Sequence, residues 1–260
     1  MKQVLAIGSL VIAMALVLGA CSDNGDDSGE ATATPDVTPA DTGNSNLPQG
    51  GEPYPIDAAD FVTEIDNPYW PMKPGSTWVY TEIDEEGTEL RVEVTVTSNV
   101  KDILGISATV VHDVVTEDGE VVEDTLDWYA QDVDGNIWYL GEDTAEYEDG
   151  EVVSTAGSWE HGVDGALAGI LVEANPQVGD AYRQEYYAGE AEDEGRVLSL
   201  NESVEVPYGT FDGCLQTEDT TALEPDVLEH KYYCMAIGPV LAIDVGGGGG
   251  REELISFVEG

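Results

Sequence analysis

Acids are the most abundant chemical groups in this 260-residue chain: 54 Asp and Glu stand against 8 Lys and Arg, a formal net charge of −46. Two acid patterns have spacings that suit a cation. Asp132-x-Asp134-Gly135-Asn136 places oxygen ligands at alternate positions, as a calcium loop begins. The sixth position of such a loop calls for Gly and is Ile137, and the twelfth calls for Glu and is Asp143. A plain Asp-Gly hairpin is therefore the competing reading. If Asp118-Gly119 is a turn, Asp113 lies opposite Asp124, and like charges so placed cost stability unless a cation or solvent separates them. Ca²⁺ or Na⁺ held by Asp113, Asp124, Asp132, Asp134 and Asn136 is one expectation. A solvated acid pair near a strand end is the other, and it requires no cofactor.

Other chemistry is sparse. His112, His161 and His230 each adjoin an acid but are too far apart in sequence for a zinc spacing. The chain has no H-E-x-x-H, no Cys-His cluster, no G-x-S-x-G elbow and no P-loop. Gly246–Gly250 lacks a nearby Lys or helix start and reads as a hairpin loop, not a phosphate cradle. Acids are so numerous that nominating a glycosidase pair carries no information. No catalytic residue is assigned. Adjacent aromatics such as Trp128-Tyr129, Trp138-Tyr139 and Tyr232-Tyr233 point to opposite faces of a strand. One of each pair packs the core. The other is exposed or lines a cavity for a sugar or lipid.

The elements that position these groups read as strands. Asp118-Gly119, Asp134-Gly135, Asp149-Gly150 and Glu86-Gly87 punctuate alternating segments, and Asp-Gly suits the type I′ hairpin turn. The first turn pairs Ile83 with Leu90, Thr81 with Val92 and Val79 with Val94. The second pairs Val115 with Val122 and Val111 with Leu126, and the third pairs Gln131 with Trp138. Ala58–Val62 fits one turn of helix. Residues 156–179 read as a long connection, and a second run of strands extends from Ala181 to Val258. So many strands exceed one open sheet. The expected fold is all-β: an antiparallel meander forming a strongly curved sheet, an open barrel or a two-layer sandwich. A hairpin centred on Glu224 sets Cys214 directly opposite Cys234, so a disulfide is expected in an oxidising compartment.

The charge excludes a nucleic-acid binder, because phosphates need clustered Lys and Arg. It also excludes electrostatic adsorption to anionic lipids. Acids spread along the whole domain are similar to the surfaces of proteins adapted to high salt. A polycation or metal buffer is the alternative.

At the N-terminus, Met1-Lys2 precedes an apolar run from Val4 to Leu18, then Leu18-Gly19-Ala20-Cys21. This is the pattern of a secretory signal peptide over residues 1–20. The last four residues resemble the lipobox of bacterial lipoproteins. The resemblance implies a diacylglyceryl group on Cys21, which then anchors an extracytoplasmic protein to a bacterial membrane. Residues 22–52 are acidic and rich in Thr, Pro and Gly, which predicts a disordered tether with a span of roughly 30 Å. Residues 53–260 form one β-rich domain.

A second resemblance lies in Asn67-Pro68-Tyr69-Trp70-Pro71-Met72-Lys73-Pro74-Gly75-Ser76-Thr77-Trp78-Val79-Tyr80, Trp128-Tyr129-Ala130-Gln131-Asp132 and Pro207-Tyr208-Gly209-Thr210-Phe211. As a set these are similar to a family of bacterial envelope lipoproteins. The resemblance implies a single β-rich domain, with no reaction and no functional residues. The curved sheet is also similar in outline to lipoprotein carriers of the LolA and LolB type, a likeness of architecture alone. The expected function is a non-catalytic, membrane-anchored domain that binds a ligand or an envelope partner. The alternatives are a carrier of lipid or another apolar molecule in a half-barrel, and an extracellular hydrolase.

Overall fold

The computed structural model describes residues 46–84, 87–247 and 249–260. The signal peptide, Cys21 and the tether up to residue 45 lie outside the described residues, as does Glu86 of the first expected turn. A 3-10 turn at Ala58–Asp60, shorter than the expected Ala58–Val62, leads into β1 (Phe61–Val62). There follow β2 (Thr77–Ile83), β3 (Glu89–Ile103), β4 (Ile106–Glu117), β5 (Glu120–Asp132), β6 (Ile137–Glu148), β7 (Glu151–Ser154), β8 (Trp159–Glu160) and β9 (Leu167–Val172). The second run is β10 (Ala181–Arg183), β11 (Glu185–Tyr186), β12 (Asp193–Val206), β13 (Gly209–Thr221), β14 (Leu228–Cys234), β15 (Gly238–Asp244) and β16 (Arg251–Val258). The stretch expected as a bare connection thus contributes β9, five of whose six residues are buried against β6.

The fold is an all-β, nearly closed antiparallel barrel. Its strand order is β10-β12-β13-β14-β15-β16-β2-β3-β4-β5-β6-β9-β11, with β1 on β5 and both β7 and β8 on β6. Closure happens at Gln184: β10 pairs with β12, and β11, one residue further on, pairs with β9. Gly169 makes the seam tight, because a Cβ there would lie 2.2 Å from the Arg183 carbonyl oxygen. The Arg183 guanidinium donates to the carbonyls of Ala168, Gly50 and Glu52, and the Arg183 N–H donates to the carbonyl of Pro48. Residues 46–52 therefore pack on the seam, although their composition assigns them to the tether.

Register departs from expectation by one residue at three hairpins. Across β2 and β3 the pairs are Glu82–Leu90, Tyr80–Val92 and Trp78–Val94. Asp84 explains the slip: its N–H donates to the Thr88 carbonyl and its Oδ1 accepts from the Thr88 N–H. The loop is thus longer than a two-residue turn, and Trp78, Tyr80 and Glu82 face inward in place of Val79, Thr81 and Ile83. Asp118 and Gly119 form the expected turn, with φ of 52° and 88°. An irregularity between Val115 and Thr116 then pairs Val115 with Glu123, Asp113 with Thr125 and Val111 with Asp127. At Asp134-Gly135 only Gly135 has positive φ, and Gln131 pairs with Ile137.

The expected disulfide is present. Cys214 and Cys234 are bonded with Cα atoms 4.3 Å apart, in a β13–β14 register that includes Leu215–Tyr233 and Thr217–Lys231. Non-reducing peptide mapping should recover the two as one cross-linked pair. Removing the bridge by a double Ala replacement should lower urea-denaturation stability by roughly 3 kcal/mol.

One half of the interior is aromatic. Trp70 packs at 5.6 Å from Tyr129 and 6.3 Å from both Trp78 and Tyr233, and Tyr129 stacks on Tyr139 at 4.9 Å. The segment carrying Trp70 is fixed by Asn67, which accepts from the N–H groups of Tyr69 and Trp70 and donates to the carbonyls of Gly135 and Val172. This segment plugs the barrel end formed by the β5–β6 and β14–β15 loops.

Candidate functional site

The other half of the interior is acidic. Strand alternation carries Glu82 of β2, Asp113 of β4, Glu123 and Asp127 of β5, and Glu142 of β6 inward. The same alternation brings in Glu185, Asp193, Asp219, Glu229 and Glu252 from β11, β12, β13, β14 and β16, all buried. Most lie close to the β2–β3, β4–β5, β13–β14 and β15–β16 hairpin loops, at the end away from the Trp70 plug.

These ten carboxyls share one space. Glu252 acts electrostatically on Asp113 across the barrel, as does Glu82. Glu185 and Asp127 act on Glu142, and Asp193 acts on Glu185. Asp219 and Glu229 act on Asp193, which closes the ring. Among the described residues, Lys231 is the basic side chain that sits with them. Its ammonium lies 3.2 Å from Asp219 and 3.4 Å from Glu229. Burial alone would lower its pKa, but Asp219 and Glu229 outweigh burial and hold it well above the usual lysine value.

Burial acts on the carboxyls in one direction. It pushes Asp127 up to about 7 against a hydrogen bond from Tyr139, and Asp193 up to about 7 against one from Thr221. Burial is also the largest cause raising Asp113, Glu142, Glu185 and Glu252 well above the carboxylate range. Donors are few. The Tyr139 hydroxyl donates to Asp127 Oδ1 at 2.8 Å, Trp159 Nε1 to Glu185 Oε2 at 2.7 Å, and Thr125 to Glu123 Oε1 at 3.1 Å. Oε1 of Glu185, Oδ1 of Asp113 and Oε2 of Glu252 are buried and accept no hydrogen bond from any described residue, and both oxygens of Glu142 are buried with only a weak interaction from the Tyr139 hydroxyl. Such a constellation can hold protons or cations; as bare anions the groups would be too costly to bury.

The residues expected to hold a cation are not brought together. Asp113 joins the interior ring, while Asp124 lies on the outer face, where its Oδ1 is 2.9 Å from His112 Nε2. Their expected opposition fails because of the β4–β5 irregularity. Asp132 is consumed by its own loop. Its Oδ1 accepts from the N–H groups of Asp134 and Asn136, and its Oδ2 from Asn136 Nδ2 and Trp138 Nε1. Asn136 Oδ1 accepts from the Ala174 N–H, so this loop is a structural clasp. Among the described residues no three Asp, Glu, His or Cys side chains already converge as a metal centre.

His112 and His230 alternate with inward-facing residues and point outward, and His161 Nδ1 accepts from the Ala168 N–H. Nine of the ten interior acids were missed from sequence. A signal existed: Glu82 shares the parity of Trp78 and Tyr80, Asp219 that of Leu215, and Glu252 that of Leu254. It needed the correct register to be read.

No protein-family model and no curated protein matches the chain. Two solved structures are similar in fold. One is a Bacteroides fragilis protein taken to be exported, with a YmcC-like fold: 13% identity, TM-score 0.45, covering 73% of this chain and 98% of that one. The other is a Parabacteroides distasonis protein taken to be a lipoprotein: 12% identity, TM-score 0.41, covering 74% and 99%.

Proposed function

We propose that this chain is exported, acylated on Cys21 and held at a bacterial membrane by its lipid, with the barrel acting as a non-catalytic binding module of the cell envelope. Support for the anchor is Leu18-Gly19-Ala20-Cys21 at the end of the apolar run. Two or three acyl chains at about 0.8 kcal/mol per buried CH₂ suffice for stable attachment. The observation that carries the binding role is the set of buried carboxyl oxygens without well-formed hydrogen bonds inside the barrel, centred on Glu142. An apolar carrier is less well supported, because the aromatic half of the interior is filled by its own rings, Trp70, Trp78, Tyr129 and Tyr233.

Replacing Cys21 by Ser should abolish acylation and move the protein from the membrane fraction to the soluble one. A Cys21→Ser protein that still sediments with membranes would remove the anchor from this reading. Native mass spectrometry of the wild-type protein, extracted from its own host's membranes in mild detergent, tests the binding role. A reproducible non-covalent mass is expected, and none of any kind would overturn it.

A further inference from the structure

We infer that the acid-lined half of the barrel is a calcium site centred on Glu142, with Asp127, Glu185 and Glu123 around it; this deepens the reading of the barrel as a binding module. Glu142 on β6 stands directly opposite Asp127 on β5. It is 2% exposed, and both its oxygens are buried without a well-formed hydrogen bond, their relief being a weak interaction with the Tyr139 hydroxyl that already serves Asp127. Its strongest electrostatic neighbours are Glu185, Asp127 and Glu123, all of its own sign.

The local donors are already committed. Tyr139, Trp159 and Thr125 cover one oxygen each of Asp127, Glu185 and Glu123. The ion pairs of Lys73, Arg91, Lys101, Lys231 and Arg251 engage Glu259, Glu93, Glu160, Asp219, Glu229 and Glu253, and not Glu142 or Asp127. On the far side of the ring, Lys231 supplies that positive charge to Asp219 and Glu229. Lys231 also acts on Glu185, but beside Glu142 and Asp127 a bound cation supplies the counterpart.

The donor set decides which cation. It is oxygen only, without Cys or His, which suits a hard ion and not zinc or copper. Mg²⁺ demands a near-ideal octahedron and keeps its waters, whereas Ca²⁺ accepts six to eight oxygens in flexible geometry. The acids come from three different strands and do not yet converge on one point. An ion that tolerates uneven ligand distances, and that draws Glu142 and Glu185 together by side-chain rotation, fits best.

The full-length acylated protein in detergent, stripped with EDTA and dialysed, provides the test. CaCl₂ should raise its melting temperature by roughly 5–10 °C at a hundredfold excess over Kd. NaCl or MgCl₂ at the same ionic strength should do much less. Glu142→Gln should weaken Ca²⁺ binding in equilibrium dialysis by about tenfold or more. By removing a repulsive charge, it should leave the calcium-free protein at least as stable as wild type. Asp124→Asn, on the outer face, should keep the full calcium response. Equal shifts from NaCl or MgCl₂ would overturn the inference, as would an undiminished response in Glu142→Gln. Should that variant not fold, wild-type protein retaining less than one Ca²⁺ per chain at millimolar CaCl₂ would overturn it as well. If calcium fails but native mass spectrometry finds another bound molecule, the binding module stands and only its ligand changes.

Discussion

Raising the pH from about 5 to about 8 is expected to destabilise the barrel steeply, the reverse of ordinary acid denaturation. Asp113, Asp127, Glu142, Glu185, Asp193, Glu229 and Glu252 all have carboxyls raised by burial, Asp127 and Asp193 to about 7. The folded state therefore holds protons that the unfolded chain releases near pH 4. Their contribution is complete below that value and is lost as pH rises through the folded values. Each group still protonated only when folded adds a slope of about 1.4 kcal/mol per pH unit. Asp127 and Asp193 alone, across about three units, reach several kcal/mol, comparable to the whole stability of a domain. Lys231 keeps its charge throughout this window, because Asp219 and Glu229 hold its pKa well above the usual lysine value. Urea midpoints measured in EDTA from pH 5 to pH 8 should fall continuously, and Asp127→Asn should flatten the slope. A midpoint that holds or rises would show the interior acids to be ionised and compensated.

Salt is expected to act in the opposite direction and on different residues. The domain from residue 53 onward has 47 acids and 7 bases. Four of the bases, Lys73, Arg91, Lys101 and Arg251, form partly or well exposed pairs with Glu259, Glu93, Glu160 and Glu253. Arg183 binds backbone carbonyls, and Lys231 is committed inside. Most surface acids therefore repel one another without relief. The Debye length is about 30 Å at 0.01 M salt and about 3 Å at 1 M, so molar salt leaves only nearest neighbours interacting. The unfolded chain spreads the same charges further apart, so screening favours the fold. Melting temperature should rise steeply from 10 mM to 1 M NaCl, while the pH slope, which comes from buried groups, should persist at 1 M. A melting temperature flat across that salt range would show the surface acids to be well compensated already.

Much of the fold was legible in the sequence. Asp118-Gly119 and Asp149-Gly150 each supply two positive φ angles to a two-residue turn, so local chemistry suffices to place them. The Cys214–Cys234 opposition followed from counting outward from a Pro-containing turn, and no irregularity intervenes between Leu215–Tyr233 and Thr220–Leu228. Composition and periodicity sufficed for the all-β class.

The site was not legible, and the reason is parity. A strand's two faces alternate every residue, so a single extra residue in a loop or bulge exchanges inside for outside. The Asp84 loop did this to β2 and brought Glu82 inward. The irregularity near Val115 did it to β4 and β5, separating Asp113 from Asp124 and bringing in Glu123 and Asp127. Sequence alone determined that this chain is β-structured, disulfide-linked and densely acidic. Only closure of the sheet at Gln184 decided that ten of those acids face one another in a buried interior, because a carboxylate's neighbours across a barrel lie on strands far apart in the chain.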